Sequence, residues 1–160
     1  MDERLYGAQV TSIANGLLDL ELNSKETAIV DNVRKYTAAL DKIDKQGLDE
    51  TLNGANVAIL HEAFAYTAQS LGANVVATMD LDEERQVSAG EVSEFIDAIN
   101  ENDVKIVFAE YDYGNAMGKL ITEQTDAKVV YLETLVHGDY SGLDYISTLN
   151  ENYARIKSAL

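Results

Sequence analysis

Three side chains suited to holding a divalent cation each stand at the end of a short apolar run. His61 follows Val57-Ala-Ile-Leu60, Glu110 follows Val104 to Ala109, and Glu133 follows Lys128 to Leu132. Imidazole and carboxylate together suit a borderline divalent metal such as zinc or manganese. Each residue also has an ordinary reading. A histidine just past a strand serves as a hydrogen-bonded cap as readily as a ligand, and a carboxylate at a strand end simply meets solvent. What sets them apart is that all three are expected on one edge of one sheet, the edge where open α/β sheets bind ligands. Asp80 and Asp82 end a further run, Val75 to Met79, but with Glu83 and Glu84 they form a charge run that reads as a solvated loop. His137, in V-H-G-D-Y, reads as a surface residue of a loop, with closure over a site as the alternative.

Other chemistries have no motif here. No G-x-G-x-x-G follows a strand and no G-x-x-x-x-G-K opens a helix, so nucleotide phosphates lack a cradle. There is no G-x-S-x-G elbow, and His61-Glu62 is not continued to H-E-x-x-H.

The elements that must position these groups are legible from period. Tyr6, Val10, Ile13, Leu17 and Leu20 are spaced by alternate fours and threes, one face of a helix. Ile29, Val33, Tyr36, Leu40 and Ile43 repeat that spacing, opposite a charged face of Asp31, Arg34, Lys35, Asp41, Lys42 and Lys45. Asn23-Ser24 reads as the cap of this second helix and Gly47 as its end, giving an antiparallel helical hairpin. Asn53-Gly54 is a turn signal. From Ala55 the four apolar runs alternate with helical patterns at Ala63 to Leu71, Ala89 to Asn100, Ala116 to Thr125 and Gly142 to Leu160. Ser88-Ala-Gly-Glu91 is a capping-box pattern, followed by a buried face of Val92, Phe95, Ile96 and Ile99. The last helix is expected to bury Leu143, Ile146, Leu149, Tyr153, Ile156 and Leu160. Strict alternation implies an α/β fold: a four-stranded parallel sheet flanked by helices, with right-handed crossovers, preceded by the helical hairpin.

Bulk properties bound the partners. At 160 residues and 46% hydrophobic content the chain can bury a core, and its net charge of -16 argues against nucleic acid and anionic membrane surfaces. The absence of cysteine excludes disulfides and thiolate zinc sites. No apolar run approaches the roughly 20 residues of a membrane span, and Met1-Asp2-Glu3-Arg4 does not read as the start of a signal peptide.

With these residues in place, the chain resembles the carboxyl-terminal part of the zinc- and manganese-binding solute receptors of ABC importers. That family ends a strand in H-D-A-F-x-Y, here His61-Glu-Ala-Phe64-Ala-Tyr66. Its helix opening P-S-A-x-(D/E)-(L/V) is here Val87-Ser-Ala-Gly-Glu91-Val92, and its strand V-K-x-I-F-x-E is Val104-Lys-Ile-Val-Phe-Ala-Glu110. E-T-x-A-K-V-V-x-L-D-P-L is matched by Gln124-Thr-Asp-Ala-Lys-Val-Val-Tyr-Leu-Glu133-Thr-Leu135. The closing helix pattern falls on Tyr145, Leu149, Asn152 and Ile156, and the family's long helix on Asn32, Tyr36 and Leu40.

The resemblance implies that His61 is a direct metal ligand and that Glu133 takes the place of an aspartate ligand. Glu110 would support the site from beside it. It implies zinc or manganese as cargo, a membrane permease as partner, and an extracytoplasmic location at the cell surface or in the periplasm. The family draws two further histidines from an amino-terminal lobe. Residues 1–22 would then be the last helix of that lobe, 23–52 a long connecting helix and 55–160 the carboxyl-terminal α/β lobe, present as a fragment or a natural truncation. Metal affinity of the lobe alone is expected to be weak or absent, and its uncovered cleft face invites self-association. The family's prolines beside the site are replaced throughout. A metal-dependent hydrolase using His61 and Glu110 is the rival reading, and an acidic interaction module the third.

Overall fold

The computed structural model describes residues 2–20, 25–79, 81, 87–111, 114–136, 138 and 141–160. The chain divides into two compact units, Asp2–Asp44 and Lys45–Leu160.

The first unit is a pair of helices. Asp2 caps α1 (Glu3–Asp19), its carboxylate accepting from the N–H groups of Arg4 (2.9 Å) and Leu5 (3.0 Å). α2 spans Glu26–Leu40. The Tyr6 and Tyr36 rings lie 6.3 Å apart, and Gly7 faces Leu40, so the start of α1 meets the end of α2. The helices are antiparallel, as the short break between them predicts. Two expectations are corrected. α2 stops at Leu40, short of Ile43, because the N–H groups of Lys42 and Ile43 reach back only three residues and tighten the last turn. Gly47, at φ 77°, opens a separate short helix, α3 (Leu48–Thr51), instead of ending α2. The long helix expected over 23–52 is thus two helices with a break. Apolar period continued past that break, and period does not report where the hydrogen-bond ladder changes. The Asn23-Ser24 cap lies outside the described residues, and Lys25 begins α2 without a side-chain cap bond.

The second unit carries the sheet. Its strands are β1 (Asn56–Ile59), β2 (Asn74–Thr78), β3 (Ile106–Glu110) and β4 (Lys128–Leu132). They are parallel throughout, in the order β2-β1-β3-β4. A 3-10 turn (Glu62–Phe64) and α4 (Ala65–Ser70) connect β1 to β2, α5 (Ala89–Glu101) leads to β3, α6 (Asn115–Gln124) to β4, and α7 (Asp144–Ala159) closes the chain. The capping box of α5 forms as the sequence indicates, Ser88 Oγ accepting from Glu91 N–H while the Glu91 carboxylate accepts from Ser88 N–H at 2.9 Å.

Side-chain alternation along the strands sorts the core into two layers. Ala58, Leu60, Val107 and Ala109 pack with Phe95, Ile96 and Ile99 of α5 and Ile121 of α6. Val57, Ile59, Phe108, Val130 and Leu132 occupy the alternate positions, and α7 packs against β4. Within α7, Leu149, Tyr153 and Ile156 are buried, while Leu143 and Leu160 lie outside the helix and are exposed, contrary to expectation. β2 sits at the sheet edge, which leaves Val75 exposed despite its apolar run. Among the described residues no helix is long and apolar enough to cross a membrane.

Candidate metal centre

Strand order creates the site's location. From β1 the chain crosses to one side of the sheet, and from β3 it crosses to the other, so the switch point lies between the carboxyl ends of β1 and β3. A crevice for a ligand forms at such a point. His61 follows β1 and Glu110 ends β3, one on each side of it. The ladder continues past the strands: Leu60 N–H donates to Phe108 O at 2.9 Å and Tyr111 N–H to Leu132 O at 3.3 Å. These bonds fix where the three terminal residues emerge. Neighbouring strands stand ~4.8 Å apart, which puts the backbones of His61 and Glu133, two strands away, on the order of 10 Å from each other.

The half-buried His61 side chain is already employed. Its Nδ1 accepts the Ala63 N–H at 3.0 Å and caps the 3-10 turn, with the ring 6.3 Å from Phe64 and edge-on to it. The ordinary reading of a strand-end histidine is therefore realised here. An acceptor Nδ1 puts the ring proton on Nε2. Coordination through Nε2 would move that proton to Nδ1, and coordination through Nδ1 would displace the Ala63 N–H. On a neutral ring, which carries one proton and one free ring-nitrogen acceptor, capping and metal binding exclude one another.

The carboxylates are held too. Glu110 Oε1 accepts from Thr134 Oγ1 at 2.8 Å, tying the end of β3 to the segment that follows β4. Glu133 has its backbone clamped by Asn152 of α7, which is fully buried. Its N–H donates to Asn152 Oδ1 (3.0 Å), and its carbonyl accepts from Asn152 Nδ2 (2.9 Å). Glu133 Oε1 lies 3.5 Å from Arg155 Nη1, one turn further along α7. That same nitrogen donates to Tyr131 O at 3.3 Å, and the guanidinium sits 5.6 Å from the centre of the Tyr111 ring. Tyr111 meets Tyr131 edge to face at 6.4 Å. The Tyr131 hydroxyl crosses Gly118 of α6 so closely that any Cβ there would collide with it. Two residues past Glu133, Leu135 takes φ 64°, a left-handed conformation costly for a branched side chain.

The fit to a metal ion is partial. The donor chemistry suits zinc or manganese, yet no group of three or more His, Cys, Asp or Glu side chains converges among the described residues. The structure aligns His61, Glu110 and Glu133 along one sheet edge without gathering them about one point. Asp80, Asp82 and His137 lie outside the described residues. Sequence reasoning assigned no role to Arg155, Thr134 or Asn152. Asn152 had a signal, since its spacing from Leu149 and Ile156 puts a polar amide on the apolar stripe of α7. Arg155 and Thr134 had none, because their partners are 22 and 24 residues away.

The family model for the periplasmic zinc-uptake complex component A, ZnuA, matches residues 1–159. No curated protein matches the chain. Among solved structures, the solute-binding protein FpvC of Pseudomonas aeruginosa, in complex with Mn2+, superposes with a TM-score of 0.83 at 24% identity, over 99% of this chain and 60% of that one. The laminin-binding protein Lbp of Streptococcus pyogenes gives 0.78 at 21% identity, over 99% and 63%. A Zn(II)-bound variant of AdcAII from Streptococcus pneumoniae gives 0.77 at 19% identity, over 99% and 58%. At these identities the likeness establishes the fold. The chain spans about three-fifths of each of these proteins.

Proposed function

Since the chain belongs to the family of ZnuA, the periplasmic component A of zinc-uptake complexes, we propose that it is the carboxyl-terminal lobe of an extracytoplasmic receptor that captures zinc or manganese for an ABC importer. The observation that carries this reading is the family match along residues 1–159. His61 and Glu133 are the ligands in this reading, and Glu110 supports them from the neighbouring strand. Residues 1–22 complete the amino-terminal lobe, 23–52 connect the lobes, and 55–160 form the carboxyl-terminal lobe. The remaining coordination positions are filled by the other lobe or by water, so the lobe alone binds weakly. The receptor performs no chemistry on its cargo, and its membrane permease is the acceptor. The hydrolase and interaction-module readings gain no support from the family or the fold.

Calorimetric titration of the chain with Zn2+ and with Mn2+, repeated on His61→Ala, tests the site. Weak binding that disappears in the variant is the expected result. Binding of equal strength in the variant would mean that the ion merely decorates an acidic surface. Self-association through the cleft face of the lobe belongs to the same proposal, and sedimentation of a strict monomer at high concentration would overturn that part.

A further inference from the structure

Glu133 has two calls on its side chain: the cargo ion, under the reading above, and Arg155. We propose that Arg155 is an internal competitor for the cation at Glu133, so that capture there exchanges a guanidinium for the ion. The inference rests on Glu133 being a ligand.

Three observations support it. The Arg155 Nη1 to Glu133 Oε1 contact of 3.5 Å pairs the guanidinium with the carboxylate that the ion would take. Arg155 is anchored independently of that carboxylate, by Tyr131 O at 3.3 Å and the Tyr111 ring at 5.6 Å, so it remains in place when the carboxylate turns away. Glu133 can turn without moving its backbone, because Asn152 clamps the peptide groups and leaves the side-chain torsions free. A fixed positive charge then remains beside the captured ion. It lowers affinity, and it offers the carboxylate a partner when the ion leaves. Arg155 is in this sense a positioning residue that sets affinity through Glu133. Both side chains are partly exposed, 36% for Arg155 and 43% for Glu133, so screening keeps the effect moderate.

The test is titration of the full chain with Zn2+ alone, in Arg155→Leu, Arg155→Lys, Glu133→Gln and the Glu133→Gln/Arg155→Leu double variant. Arg155→Leu is expected to bind about tenfold tighter than the unaltered chain. Arg155→Lys, which restores the charge, is expected to stay near the unaltered value. The gain should vanish in the Glu133→Gln background and shrink as salt rises. If Arg155→Leu binds no tighter, or shows no Zn2+ binding up to millimolar ion, while Glu133→Gln still weakens the unaltered chain, the competitor role fails and the ligand reading stands. A gain in Arg155→Leu that salt does not reduce also overturns it. If Glu133→Gln leaves binding unchanged, the ligand reading fails and the competitor role with it.

Discussion

The two units of this chain are built to different standards of completeness. In Lys45–Leu160 the central strands β1 and β3 are buried on both faces, and Ile59, Phe64, Phe108, Leu132 and Tyr153 are at most 1% exposed. In Asp2–Asp44 the helices bury only Ala14 and Leu40 among their apolar side chains, while Ile13 and Leu20 are 64% and 66% exposed. A parallel sheet needs cover on both faces and obtains it from its own crossover helices. A two-helix pair has one seam and must leave the rest of each helix uncovered. The lesson is that apolar period marks a face suited to burial without saying whether this chain supplies the cover.

That contrast can be broken or sharpened by substitution. Phe108→Ala, in the middle of the central strand β3, should cost about 3–5 kcal/mol in urea unfolding. A loss below about 1 kcal/mol would mean that the sheet core is loosely packed and the contrast false. Asn152→Leu should cost about 2–4 kcal/mol, because it strips partners from both peptide groups of Glu133. It should also disturb the Tyr131 and Glu133 backbone resonances before those of β1. Ser88→Ala removes one half of a capping box on an exposed helix start, for a loss of about 1 kcal/mol, read from the shift in unfolding midpoint.

In the helical unit the expected effects are smaller. Burial, followed by the charge of Tyr6 and a hydrogen bond with it, pushes the Tyr36 phenol from 10.0 up to about 12. The folded form thus holds this proton more tightly than the unfolded chain. Its stabilising contribution is complete below pH 10, falls as pH rises, and is gone above about 12. The tyrosinate absorbance titration of the unaltered chain minus that of Tyr36→Phe should isolate this late step, and a midpoint near 10 would show the ring to be solvated. Ile13→Ser should change stability by no more than about 0.5 kcal/mol. A loss of several kcal/mol would reveal that the α1 stripe is covered in solution and would erase the contrast between the units.

Much of the fold was legible because it rests on local pattern. The alternation of four apolar runs with helical periods fixed the parallel α/β class, and Ser88 to Glu91 announced its capping box in four residues. The end of α2 was not legible, since the tightened turn at Lys42 and Ile43 leaves the apolar period intact. The site divides in the same way. That His61, Glu110 and Glu133 close their runs could be read directly, and so could the cap role of His61, whose partner is two residues away.

What the sequence determined by itself, then, is which residues form strands and which donors stand at their ends, because backbone period and capping depend on neighbours within a turn or two. Only the tertiary structure decided that β1 and β3 are adjacent, so that His61 and Glu110 flank the switch point. It also decided that Thr134 holds Glu110 and that Arg155 and Asn152 hold Glu133. Pairing order and long-range hydrogen bonds depend on how the faces pack together. No local period in the chain encodes which distant side chain will take a given lone pair.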